Sequence, residues 1–176
     1  MTYEELCQLP DDDKRYELID GEVYIIPSPN VRHQRILSRL YDAFKAAIRD
    51  RSEVLFAPLD VVLAPATALQ PDLLVVRKEN LAILRDVVRG APDLVLELLS
   101  PSTGARDRGI KMRTYARYGV GEYWIVDAER HAIEIYRLER PAGAYRLAAH
   151  CRPGDRAATP LLPALALDVA ALFSDG

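Results

Sequence analysis

Cysteine is scarce in this chain of 176 residues: Cys7 and Cys151 are its only thiols, far apart and without Cys-x-x-Cys spacing. That excludes a disulfide framework and a zinc-thiolate site, and a reducing compartment is expected. No run approaches the ~20 apolar residues of a membrane-spanning helix. The opening Met1-Thr2-Tyr3-Glu4-Glu5-Leu6 is acidic and lacks the apolar stretch of a signal peptide. A soluble cytoplasmic protein with no membrane partner is therefore expected. Basic excess is missing too: the net charge is −3, so any nucleic-acid binding must rest on a local patch. Repeats, low-complexity tracts and linkers are absent, which leaves residues 1–176 as a single domain. With 49% hydrophobic residues, such a chain builds a core without covalent staples.

What is present is a series of local folding signals. Thr2 followed by Glu5 makes a capping box for a short helix ending near Leu9-Pro10. Arg15–Ile19, Asp20-Gly21 and Glu22–Ile26 spell strand, tight turn, strand, the strongest short hairpin signal. Asn30 opens a long helix in which Leu37, Leu40, Tyr41, Phe44 and Ile48 form one apolar stripe to about Asp50. Strand-like runs follow at Glu53–Ala57, Leu59–Ala64, Gln70–Val76 and Asp93–Leu99, while Leu81–Arg89 is ambiguous. A second helix is expected from about Ala105 to Tyr118 with Gly119 as its stop. Further strands read at Tyr123–Val126, Ile133–Tyr136 and Tyr145–Ala149, then a short helix capped by Asp168. The sum is an α/β arrangement of the α+β kind, a mixed sheet with helices on its faces.

Two of those strands contain an energetic oddity. Asp72 and Glu97 each set a carboxylate into an otherwise apolar run, where an unpaired charge costs several kcal/mol. Alternation puts Asp72 on the face of Leu74 and Val76, and Glu97 on that of Val95 and Leu99. If the strands are neighbours, the two carboxylates converge. Such oxygen ligands suit Mg²⁺ or Mn²⁺; pairing of each acid with an arginine is the other reading.

Lys111 follows on the second helix, whose spacing gathers Asp107, Lys111, Tyr115 and Tyr118 on one face. If the tyrosines pack on the sheet, Lys111 turns inward and its ammonium serves the two acids. A plain Asp107–Lys111 pair one turn apart is the simpler account. Arg32, Arg35 and Arg39 form a stripe on the first long helix, the first two near its amino terminus where cations oppose the dipole. Phosphate contact would explain that placement, and so would a solvated face. Arg106, Arg108 and Arg113 flank Lys111. His33 shares the inward register of Leu37 and Leu40, as a core histidine or as a group beside the site.

At this point the chain resembles a known family. Tyr16-Glu17-Leu18-Ile19-Asp20-Gly21-Glu22, Pro71-Asp72-Leu73, Ala91-Pro92-Asp93-Leu94-Val95-Leu96-Glu97-Leu98-Leu99-Ser100-Pro101-Ser102, Arg108-Gly109-Ile110-Lys111 and Tyr115 to Asp127 carry the likeness. In order and spacing they are similar to the Uma-two family of restriction-endonuclease-like proteins, within the PD-(D/E)XK nuclease superfamily. The resemblance implies a three-layer core, a central mixed sheet flanked by helices with an N-terminal hairpin. It also implies Mg²⁺- or Mn²⁺-dependent hydrolysis of DNA, RNA not being excluded, by a protein that commonly acts as a homodimer.

Carried over by residue, Asp72 and Glu97 would hold the metal with the Leu98 carbonyl. Lys111 would replace the lysine expected two positions after the acid, where this chain has Leu99. Glu17 would be a further metal or water ligand, and His33 a residue behind the site. Ser102 and Thr103 would face the phosphate at the start of the second helix, with Arg32, Arg35, Arg106 and Arg108 as DNA contacts. Asp93, in a second Pro-Asp pair, reads instead as a solvated turn residue. The competing function is a non-catalytic nucleic-acid-binding or scaffold module that keeps the fold.

Overall fold

A computed structural model describes residues 1–10, 12–140 and 142–174. The amino-terminal signals form as written. Helix α1 (Tyr3–Leu6) closes a reciprocal capping box between Thr2 and Glu5. Strands β1 (Arg15–Ile19) and β2 (Glu22–Ile26) pair antiparallel across Asp20-Gly21. Both turn residues have positive φ, 52° and 84°, as a two-residue primed turn requires. Helix α2 (Val31–Ala47) starts at Asn30, whose side chain accepts from the His33 amide. It ends at Ala47, short of Asp50, and buries Leu37, Leu40 and Phe44.

The remaining strands are β3 (Glu53–Phe56), β4 (Val61–Ala64), β5 (Thr67–Leu69), β6 (Leu73–Val76), β7 (Val88–Arg89) and β8 (Leu94–Leu98), followed by β9 (Glu122–Asp127), β10 (Ala132–Glu139), β11 (Ala144–Cys151), β12 (Arg156–Thr159) and β13 (Leu162–Asp168). They assemble into a mixed six-stranded sheet, β11-β10-β9-β8-β6-β3, a mixed five-stranded sheet, β2-β1-β5-β4-β7, and the β12–β13 hairpin. The ambiguous stretch resolves into a 3₁₀ turn over Lys78–Ile83 and the short β7. The chain ends its described part in helix α5 (Val169–Phe173), capped by Asp168.

The six-stranded sheet is the middle layer. On one face Leu73, Val75, Leu94, Leu96, Trp124 and Val126 meet α2, the β12–β13 hairpin and α5. On the other, Leu74, Val76, Val95, Tyr123 and Ile125 meet Ile19, Val61 and Leu69 of the five-stranded sheet and Tyr115. This is the α+β mixed architecture expected, with one difference of detail: much of the second face is covered by another sheet. The N-terminal hairpin is extended by β5 and β4, so its apolar face had a whole sheet behind it. No described helix is long and apolar enough to cross a membrane.

The second long helix is a composite. Helix α3 (Gly104–Arg106) runs into a π turn (Asp107–Lys111) and then helix α4 (Met112–Arg117). Tyr118 is its C-terminal cap, half-buried with the Arg117 guanidinium 4.9 Å above its ring, and does not join the inward face. A π turn shifts the helix phase by about one residue. Here Asp107, Lys111, Thr114 and Tyr115 are all buried. The hydroxyl of Tyr123 donates to the Asp107 carbonyl at 3.0 Å, pinning the turn to the sheet.

Candidate active site

Strands β6 and β8 are antiparallel neighbours with Leu73 opposite Leu96. Extending that register by one residue sets Asp72 against Glu97 at the end of the sheet. Asp72 precedes β6, so strand alternation does not fix its side chain. It turns toward α2, where its Oδ2 accepts from the Leu98 amide at 2.7 Å and lies 3.3 Å from His33 Nε2. Glu97 obeys alternation and points to the face of Val95, toward the composite helix. Glu17 arrives from β1, on the face of Ile19, and completes the carboxylate group.

Lys111 lies among these acids. Its Nζ is 2.6 Å from Glu97 Oε1, 2.8 Å from Glu17 Oε1 and 3.6 Å from Asp107 Oδ1. The simple Asp107–Lys111 pair exists, but it is the longest of the three contacts. The lysine and all three partners are no more than 4% exposed. Burial works against the Lys111 ammonium, yet the charges of Glu17, Glu97 and Asp107 outweigh it and hold its pKa above the usual lysine range. Burial pushes Glu97 well above the ordinary carboxylate range; Lys111 opposes that shift, and Asp107, Asp72 and Glu17 add to it. Asp107 is raised for the same first reason.

Sequence reasoning placed Tyr115 only as a packing residue. Its hydroxyl donates to Glu97 Oε1 at 3.0 Å, beside the lysine. Gln70, also missed, donates its backbone N–H to Glu17 Oε1 at 3.0 Å, and its side-chain oxygen is buried without a hydrogen bond to the described residues, like His33 Nδ1. The helical i, i+4 spacing from Lys111 to Tyr115 was the one signal that could have found the tyrosine.

All of these carboxyls face a cleft of about 370 Å³. Four of them (Glu17, Asp72, Glu97, Asp107) meet two cations, Lys111 and the Arg106 guanidinium 4.0 Å from Glu17 Oε2. With Glu129, Arg15 and Arg32, which also line the cleft, five carboxylates face four fixed cations, a surplus of one negative charge when all are ionised. Glu97 Oε2 and Asp72 Oδ1 make no hydrogen bond to the described residues and are the oxygens left for a ligand. Hard oxygens and surplus negative charge fit a divalent cation. Among the described residues no three His, Cys, Asp or Glu side chains form a ready-made cage. An ion held here would take two carboxylates and complete its shell with water.

The other expected residues divide. Arg32, Arg106, Ser102, Thr103, Leu98 and His33 line the cleft, as does Arg15. Ser100 Oγ lies 3.1 Å from Ser102 Oγ and 2.9 Å from Thr103 Oγ1, so that loop is internally bonded. Arg106 stacks on Tyr24 at 4.9 Å. Arg35 lines a separate groove. Arg108 is not brought to the cleft: it forms a two-pronged bond with Glu134 at 2.6 and 2.9 Å. Arg113 is exposed on α4. Asp93 accepts from the Arg77 amide and the Asn80 side chain, a turn role, although half-buried.

Comparison with known proteins bears on the family and the fold. No curated protein matches the chain. Among solved structures it is similar to a crystal structure titled "putative nuclease belonging to DUF820", from Anabaena variabilis ATCC 29413. The two are 19% identical with a TM-score of 0.80, over 98% of this chain and 97% of that one; at such identity the likeness shows the fold. Residues 3–170 match the model of the family Uma2, described as "Putative restriction endonuclease". That match runs from the first helix into the last and takes in Glu17, Asp72, Glu97 and Lys111, so the chain belongs to the Uma2 family.

Proposed function

We propose that this protein is a divalent-metal-dependent endonuclease that hydrolyses phosphodiester bonds in DNA, working as one domain. The observation that carries the reading is the buried Lys111 ammonium, bonded to Glu97 and Glu17 on the floor of a cleft that also holds Asp72. An acid pair at a sheet end beside a lysine is what phosphodiester hydrolysis needs: a place for a cation, and a fixed positive charge where negative charge develops.

Asp72, Glu97 and the Leu98 carbonyl would hold Mg²⁺ or Mn²⁺, which when bound polarises the phosphate and lowers the pKa of its water. Lys111 keeps its proton, since three carboxylates surround it, and neutralises charge on the phosphate oxygens. Glu17 takes one of the lysine's N–H bonds and fixes where the ammonium points. Tyr115 shares Glu97 Oε1 with the lysine and so turns the other oxygen to the cleft. Arg15, Arg32 and Arg106 stand on the cleft wall, suited to neighbouring phosphates. Arg15 and Arg32 are held by the carbonyls of Pro27 and Ala128 at 3.0 and 2.7 Å, so their charge is oriented without being cancelled.

A second reading, a nucleic-acid-binding module that keeps the fold, draws on the same bonds, because they occupy Lys111 fully within the protein. Cleavage of supercoiled plasmid with Mn²⁺ separates the two. Wild type is expected to nick and linearise the plasmid, with Glu97→Ala and Lys111→Ala slower by about a hundredfold or more. Equal cutting by all three proteins, or none by wild type, removes the nuclease assignment.

A further inference from the structure

Beyond the cleft, a second groove of about 220 Å³ runs beside α2 and the end of α5. Arg32, Arg35 and Arg39 line it with Val31, Phe173 and Ser174. Three guanidinium groups thus face one groove in a protein whose net charge is −3, and among the described residues no carboxylate lines it. None of the three forms an ion pair with a described residue, although many other arginines do, among them Arg106, Arg108, Arg117, Arg130 and Arg137.

Their bonding sharpens the point. Arg32 Nη2 donates to the Ala128 carbonyl at 2.7 Å. Arg39 Nη1 donates to the carbonyls of Leu172 and Ser174 at 3.0 and 2.6 Å. Carbonyl acceptors orient these cations and leave their charge in place. Arg35, between them, is exposed and has no hydrogen bond or ion pair in the described structure. Arg32 also lines the carboxylate cleft, so the cleft and the groove share a wall residue.

We infer that this groove is a second binding surface for the substrate's phosphate backbone, carrying the strand away from the cleft over Arg32 to Arg35 and Arg39. The inference rests on the nuclease reading for the identity of its polyanion. From Arg32 to Arg39 the helix rises about 10 Å, enough to accompany two or three phosphates of a strand that advances about 3.4 Å per nucleotide. Neutral carbonyl partners, unpaired guanidinium groups and an open groove suit a contact that reads charge and position without reading sequence.

The test is binding of a fluorescent 20-nucleotide single strand without divalent ion, followed by anisotropy across a salt series. Arg35→Ala is expected to weaken binding about fivefold and lower the salt slope by about 0.7, one phosphate contact. Arg35→Glu is expected to weaken it further, while Arg51→Ala, in the loop past the far end of α2, leaves both quantities unchanged. Arg35 is exposed, so these variants fold. Unchanged affinity and slope in both Arg35 variants overturns the inference. Plasmid cleavage by the same proteins keeps the two readings apart. An Arg35 effect with no cleavage by wild type keeps the groove and removes the nuclease, and cleavage with no Arg35 effect does the reverse. A wild type that binds no strand removes the groove outright.

Discussion

Lys111 Nζ and Glu97 Oε1 stand 2.6 Å apart although one belongs to the composite helix and the other to the strand beneath it. The π turn and the Tyr123 hydroxyl hold the helix at the phase that makes this contact possible. The pair is also surrounded: Glu17 and Asp107 share the ammonium, and Tyr115 shares the carboxylate.

Removing the lysine should therefore cost stability as well as activity. In Lys111→Ala three buried carboxyls lose their cation, and breaking a buried pair typically costs about 3–5 kcal/mol. Urea unfolding at neutral pH should show a loss of that order, shrinking at pH 5 as the carboxyls take up protons. An unchanged midpoint at neutral pH would mean that the cluster carries no net stability.

Stability should also depend on pH in a stated direction. Burial raises Glu97 above its ordinary 4.5 and Asp107 above 3.8. Over that range the native protein holds more protons than the unfolded chain, so stability from these groups is complete below the ordinary values. It is lost as pH climbs through the raised ones. Lys111 is raised as well, and its contribution persists past the ordinary 10.5. The contribution of Glu97 and Asp107 to the stability of the metal-free protein should thus be larger in weak acid than at neutrality, by up to about 1.4 kcal/mol per pH unit per proton. Asp127 and Glu134, which despite their burial Arg130 and Arg108 hold below their ordinary values, act in the opposite sense. Thermal melts from pH 4 to 8 check this, and Glu97→Gln should flatten the slope.

Tyr115→Phe keeps the ring against Tyr123, 5.3 Å away, and removes only the hydroxyl on Glu97. Stability should fall by about 1 kcal/mol, the worth of one hydrogen bond. Cleavage should fall more, by about tenfold, because Glu97 loses one of the two groups that orient it. Tyr145→Phe is the control, since its hydroxyl bonds the Val120 carbonyl and touches no part of the site. A Tyr115→Phe rate equal to that of Tyr145→Phe would leave the phenol with a packing role only.

Arg108→Ala should leave strand binding nearly unchanged. The guanidinium is committed to Glu134 and lies near Asp127. That pair is partly solvent-screened, so the stability loss should stay near or below about 1 kcal/mol. A large drop in oligonucleotide affinity would contradict the placement.

Much of this was legible in the chain because it is encoded locally. The Asp20-Gly21 turn, the Asn30 and Asp168 caps and the Thr2–Glu5 capping box depend on groups within four residues, and all formed. Alternation likewise turned Glu17 and Glu97 inward. Strands β5, β12 and β13 carried no clear local signal, because they are short or built from alanine, leucine and proline, and they exist by pairing with distant segments.

By itself, then, the sequence determined which side chains were out of place for their surroundings: carboxylates in apolar strands, and a lysine and a tyrosine one turn apart on a helix. Tertiary structure decided which of those charges meet. Nothing within a few residues of Arg108 distinguishes it from Arg106, yet Glu134, 26 positions away, claims the first; the second stacks on Tyr24 at the cleft. Asp72 left the side that alternation gives it because it stands one residue outside its strand, where the Leu98 amide and His33 set its direction. Local chemistry fixes turns, caps and strand faces, but the partner of a long charged side chain is chosen by whichever distant group the packed sheets bring within about 3 Å.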